Sequence, residues 1–155
     1  MYLVSVVLLL LVLPAASVIV AMLAAPHGRD VVALIGKWYV FWAVGIRLLL
    51  AGVRQVSQPR STAAEIFDLD DVKAFPIVRE IGFANLSMGT LGVSSIFRPD
   101  WLVPAAVAGG LYYGLAGLGH VVRSRNAKGR IAMLSDGFAF LVLLGAAVNG
   151  LTAAH

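Results

Sequence analysis

The chain has no cysteine. That single absence removes disulfides, thiolate zinc sites, iron–sulfur clusters and thiol catalysis. Charge is scarce too. Asp, Glu, Lys and Arg make up 13% of the 155 residues, against about 25% in an ordinary soluble domain. Histidine occurs three times, at His27, His120 and His155. The spacing offers neither an HxxxH metal pair nor a two-histidine haem site. No GxSxG, P-loop or dinucleotide-binding glycine fingerprint is present. No pattern sets a base beside a serine. Asp68, Asp70 and Asp71 lie close together, but the glycine and final glutamate of an EF-hand loop are missing, so they read as a solvated acidic face. The sequence predicts no catalytic residue, no cofactor, no metal site and no enzyme.

Hydrophobic residues are what the chain has instead. They make up 60% of it, and the mean hydropathy is +0.90. Those values point to an integral membrane protein. The net charge is +4, yet the positive residues lie between apolar runs. They read as topology signals rather than as a nucleic-acid surface. Arg outnumbers Lys nine to three, which with the abundant Ala and Gly hints at a GC-rich bacterial genome.

Five candidate spans follow from the apolar runs: about 2–25, 31–53, 76–97, 101–122 and 131–153. About 20 apolar residues suffice to cross a bilayer. The first run carries no positive n-region and continues well past Pro14, which favours a span, kinked at Pro14, over a cleaved leader. Asp30 is placed to cap the second span, and Lys37, Trp38, Tyr39 and Trp42 form an interfacial belt at its start. Pro76 suits the first turn of the third. The 54–75 loop is expected to hold a short surface helix, opened by Thr62-Ala63-Ala64-Glu65 as a capping box and continued by Ile66, Phe67 and Leu69. Arg54, Arg60, Lys73, Arg79, Arg123, Arg125, Lys128 and Arg130 fall on one side of the membrane, and Arg29, Lys37 and Arg98 on the other. That bias sets the N-terminus in the cytoplasm and the C-terminus outside. No linker divides the chain, so 1–155 is one domain. The expected fold is an all-α integral membrane protein, five transmembrane helices in a compact bundle.

The third span, REIGFANLSMGTLGVSS from Arg79 to Ser95, is unusually polar and small. At about 100° per residue, Gly82, Asn85, Gly89 and Gly92 share one face. Glu80, Ala84, Ser87, Leu91 and Ser94 share the opposite face. Lipid supplies no hydrophobic drive between helices, so small and polar faces mark contacts. This helix is therefore expected inside the bundle, or between the bundle and a partner. Gly110, Gly114 and Gly117 line one face of the fourth span and contain a GxxxG, which serves either packing within the monomer or a partner seam.

Four ionisable groups sit at or within span ends: Arg47, Glu80, His120 and Asp136. Their depths pair Arg47 with Glu80, and His120 with Asp136, while Tyr113 shares the face of His120. None is expected near mid-membrane. One reading is a proton or ion path, or a polar headgroup site. The other is two buried pairs that hold helix register, or side chains snorkelling to the interface.

Two stretches, YVFWAVGIRLLLAGVRQ (Tyr39 to Gln55) and EIGFANLSMGTLGVSS (Glu80 to Ser95), resemble small multi-span bacterial membrane proteins of uncharacterised function that are distantly similar to DoxX-like proteins. That resemblance implies a four-helix bundle, sometimes associated with redox chemistry. The extra first span and the lack of cysteine depart from the pattern. The chain is also similar to the small accessory membrane subunits of MCE-type lipid importers in mycolic-acid-bearing bacteria. What this implies is a non-enzymatic accessory or assembly subunit of a bacterial inner-membrane complex, with other membrane subunits and lipids as partners and no nucleic acid. The alternative is a stand-alone small transporter or DoxX-like redox protein.

Overall fold

A computed structural model describes residues 2–24, 30–66, 68–123 and 127–153, and every regular element among them is helical. The expectations at Ala25, Arg29, Phe67 and Arg125 lie outside the described residues. In chain order, α1 covers 2–24, α2 Val31–Ser57, α3 Pro59–Ile66, α4 Phe75–Ser94, α5 Leu102–Arg123 and α6 Ala127–Ala153. Short 3-10 turns, Val72–Ala74 and Pro99–Trp101, lead into α4 and α5.

Among the described residues four helices are long and apolar enough to cross a membrane: α1, α2, α5 and α6. The helix expected as the third span, α4, forms over 20 residues but is not one of them. Arg79, Glu80, Asn85 and Ser87 dilute its apolar residues.

Two helices carry π-helical segments, and in α1 the cause is local. In α1 the segment is Leu8–Val12, and the Leu13 N–H reaches back five residues to the Leu8 carbonyl. The next residue is Pro14, which has no N–H to give and whose ring crowds the turn before it. The expected kink is thus taken up as a widened turn just ahead of the proline. In α2 the segment is Val40–Ile46, and the Arg47 N–H bonds to the Trp42 carbonyl. Asp30 caps α2 as expected, its Oδ1 accepting from the Val32 N–H at 2.8 Å. The helix then runs to Ser57, four residues past the predicted end.

The surface helix begins earlier than its expected capping box. α3 starts at Pro59, a residue suited to a first turn, so Thr62 and Glu65 lie inside the helix. Thr62 and Ala63 are buried, and Glu65 accepts from Arg54 at 2.9 Å instead of capping.

α2 is the centre of the bundle. α4 runs antiparallel along one side of it, with Gly82 against Gly52 and Gly92 against Gly45. α6 runs antiparallel along another side, with Ala146 against Gly36. α5 pairs with α6 along its length, Gly114 against Phe140 and Val103 against Gly150. α1 leans on the first half of α2, where the Trp42 Nε1–H donates to Ser17 Oγ at 3.0 Å. The core between these helices contains Leu10, Val44, Leu48, Ala105, Tyr113 and Leu143.

Candidate functional site

Glycine decides how α4 meets α2. A Cβ on Gly52 would lie 2.8 Å from the Gly82 carbonyl oxygen, and one on Gly89 would lie 2.7 Å from the Leu49 nitrogen. A Cβ on Gly92 would overlap the Gly45 backbone itself. The two backbones are thus in direct contact, the arrangement that small residues permit between membrane helices. One polar contact crosses the same seam. Asn85, 1% exposed, donates from Nδ2 to Gln55 Oε1 at 2.7 Å, and the Tyr112 hydroxyl lies beside it.

The predicted face of Gly82, Asn85, Gly89 and Gly92 is therefore the packed one. Of the two expected places for this helix, inside the bundle or between the bundle and a partner, the opposite face removes the first. Glu80, Ala84 and Ser87 are exposed, as are Phe83 and Thr90, so α4 stands at the edge of the bundle. Ser87 and Thr90 turn their hydroxyls back to the Phe83 and Leu86 carbonyls of their own helix. Glu80 forms no ion pair among the described residues. In α5 the expected glycines resolve as internal packing. Gly110, Gly114 and Gly117 face Leu143, Phe140 and Gly137 of α6.

The charges meet on another side of α2. Arg47 Nη2 donates to Asp136 Oδ1 at 2.9 Å and to Ser135 Oγ at 3.1 Å. The Ser135 hydroxyl in turn donates to the Ala132 carbonyl at 2.9 Å. The guanidinium lies 4.9 Å from the centroid of the Tyr113 ring, a cation–π contact from α5. The Tyr113 hydroxyl, buried, donates to the Ala43 carbonyl oxygen. The π-helical segment explains that bond. The Arg47 N–H bonds to Trp42, one carbonyl back from the Ala43 carbonyl it would take in a regular α-helix, and Tyr113 supplies Ala43 with a donor.

Arg47 thus pairs with Asp136, and the expected pairing with Glu80 is overturned. Glycine spacing carries the reason. Gly45, Leu49 and Gly52 face α4, and Arg47 follows Gly45 by two residues, roughly 200° around the helix. It points away from α4. The expected pair of His120 and Asp136 is brought together, with His120 Nε2 3.9 Å from Asp136 Oδ2. That distance exceeds a hydrogen bond. One carboxylate therefore stands between two bases, bonded to Arg47 through Oδ1 and approached by His120 on Oδ2. The side chain of His120 is 17% exposed and that of Asp136 8%, so the histidine is the more open of the two.

Depth is the other correction. Arg47 lies three residues from the centre of the Val31–Ser57 span, about 5 Å along the axis. Asp136 lies five residues from the centre of Gly129–Ala153, about 8 Å. Arg47 lies nearer the centre of its helix than the expected 31–53 bounds placed it, because α2 runs on to Ser57, whereas Asp136 keeps nearly its expected place. Ionised groups so far from water persist only when paired and hydrogen-bonded, which Arg47, Asp136 and Ser135 achieve together. Ser135 and Gln55 escaped the sequence reading, since a lone Ser or Gln carries no periodic signal.

No curated protein and no solved structure matches the chain. One family model does, over residues 4–141, a stretch that takes in α2, α4, Arg47, His120 and Asp136. With that match running over most of its length, the chain belongs to DUF6790, a family of unknown function.

Proposed function

We propose that this protein is a non-enzymatic accessory subunit of a larger assembly in the bacterial cytoplasmic membrane, and that it docks a partner's helix on the outer face of α4. The observation that carries the reading is the exposed row Glu80, Ala84 and Ser87, with Thr90 beside it. A lone carboxylate and small side chains are poor neighbours for acyl chains and good ones for a second helix. In this reading α4 crosses the bilayer beside α2 as a fifth span. The positive-charge bias then sets the N-terminus inside and the C-terminus outside. Lipid transport is the first activity to assay, on the strength of the resemblance to MCE-type accessory subunits.

Purification in mild detergent followed by native mass spectrometry tests the assembly. The expected result is a stoichiometric partner that is lost on Ser87→Trp while the subunit itself stays folded. A clean monomer under conditions that preserve other complexes of the same membrane removes the reading. Tags test the topology: one after His155 is expected outside and one after Lys128 inside.

A second reading, stand-alone proton or ion transport, is favoured by one observation, the Arg47–Asp136 pair near the middle of two spans. Liposome flux abolished by Asp136→Asn would support it. Flux equal to that of empty vesicles rejects it.

A further inference from the structure

An open groove of about 600 Å³ runs between α5 and α6 on the outer surface of the bundle. Leu111, Leu118 and Val121 of α5 and Met133 of α6 line it, and Gly117 and Gly137 leave it recessed. A Cβ on Gly137 would meet nothing within 4 Å. That marks open space, unlike the tight glycine contacts of the α2–α4 seam. No lining side chain carries a hydroxyl, an amide or a charge, so a partner helix would find none of the polar contacts that join helices in lipid. A hydrocarbon chain needs only the shape.

The length of the groove and the charge at its mouth narrow the occupant. From Leu111 to Val121 α5 rises about 15 Å, half of the roughly 30 Å hydrocarbon thickness. The groove therefore spans one leaflet. Beyond Val121, α5 ends at Arg123, and the first turn of α6 carries Lys128 and Arg130. Arg130 is exposed and stands one turn before Met133. No acidic residue occurs between His120 and Asp136. Basic residues gathered between two membrane helices at the interface attract anionic headgroups.

We propose that this groove is a binding site for one anionic phospholipid, with an acyl chain lying between α5 and α6 and the phosphate at Arg130. The chain would lie directly over the charge cluster, since a Cβ on Gly117 would come within 3.6 Å of the Asp136 Cβ. The site is separate from the α4 surface and does not depend on any partner subunit.

The test offers the purified protein phosphatidylglycerol or phosphatidylcholine with identical chains, and counts retained lipid by native mass spectrometry. One phosphatidylglycerol is expected to be held, about fivefold over phosphatidylcholine, since one basic residue at the surface favours an anionic lipid by a factor of about five. Gly137→Leu fills the recess and abolishes that retention without lowering the melting temperature. Arg130→Gln reduces it about fivefold. Should Gly137→Leu fold poorly, Leu118→Trp fills the groove from an exposed position and takes its place. Equal retention of the two lipids, retention of neither, retention that survives the filled groove, or no effect of Arg130→Gln each overturns the site.

Discussion

The two sides of α2 are joined to their neighbours by opposite means. Toward α4 the contact is made by what is missing, the side chains of Gly45, Gly52, Gly82, Gly89 and Gly92, so that backbone meets backbone. Toward α6, past the approach of Gly36 to Ala146, it is made by a long side chain, Arg47, reaching Asp136 and Ser135. Both solve one problem. In lipid, apolar surface gains little by leaving one hydrocarbon environment for another, so helices associate through close dispersion contact or through polar groups that need partners. The glycine side is sensitive to bulk and indifferent to charge. The arginine side is the reverse.

That contrast can be broken by substitution, read as unfolding free energy in detergent by steric trapping. The largest effect is expected at the charge cluster. Asp136→Ala strands Arg47 and should cost about 3–5 kcal/mol. Replacing both partners, Arg47→Met with Asp136→Leu, should recover most of that loss, because an apolar pair of similar volume often matches a buried ion pair. A double variant no better than the single would mean that the guanidinium holds α2 through Tyr113 rather than through the carboxylate. Next comes Gly92→Ala. One methyl forced against the Gly45 backbone should cost about 1–3 kcal/mol. Gly145→Ala is its control. A Cβ there meets nothing within 4 Å, so helix propensity should make it neutral or stabilising, by up to about 1 kcal/mol. Equal losses at the two sites would deny the close seam. Tyr113→Phe removes the donor to the Ala43 carbonyl and should cost about 1 kcal/mol, with hydrogen exchange rising in 40–47. The smallest effect is expected at Glu80→Gln, within about 0.5 kcal/mol for the isolated subunit. A loss there comparable to that of Asp136→Ala would restore Glu80 as a buried partner.

Much of this arrangement was legible in the sequence. Long apolar runs located α1, α2, α5 and α6, because hydropathy over some 20 residues reports directly on the solvent a helix needs. Asp30 announced the start of α2, since a cap is a local interaction. The small face of α4 was legible as a contact face, but its partner was not assigned. Gly45 and Gly52, spaced seven apart like Gly82 and Gly89, held that information. They mark the α4 side of α2, and Arg47 lies off it. The end of α2 was misplaced because Arg54 and Gln55 lower hydropathy without breaking a helix. The π-helical segment of α2 was not legible at all. The contact that goes with it is tertiary, a tyrosine 70 residues away that satisfies the freed Ala43 carbonyl. Which of its two expected places α4 would take was equally hidden, for a polar face looks the same in sequence whether a neighbour covers it or not.

Contact between bare backbones has a mechanical consequence. Side chains that interlock can change rotamer and let two helices slip. Gly45 and Gly92 have no rotamers to change, and the carbonyl of Gly82 sits where any shift would drive it into Gly52. α2 and α4 therefore behave as one stiff beam. What that beam carries on its far side is the guanidinium that holds Asp136.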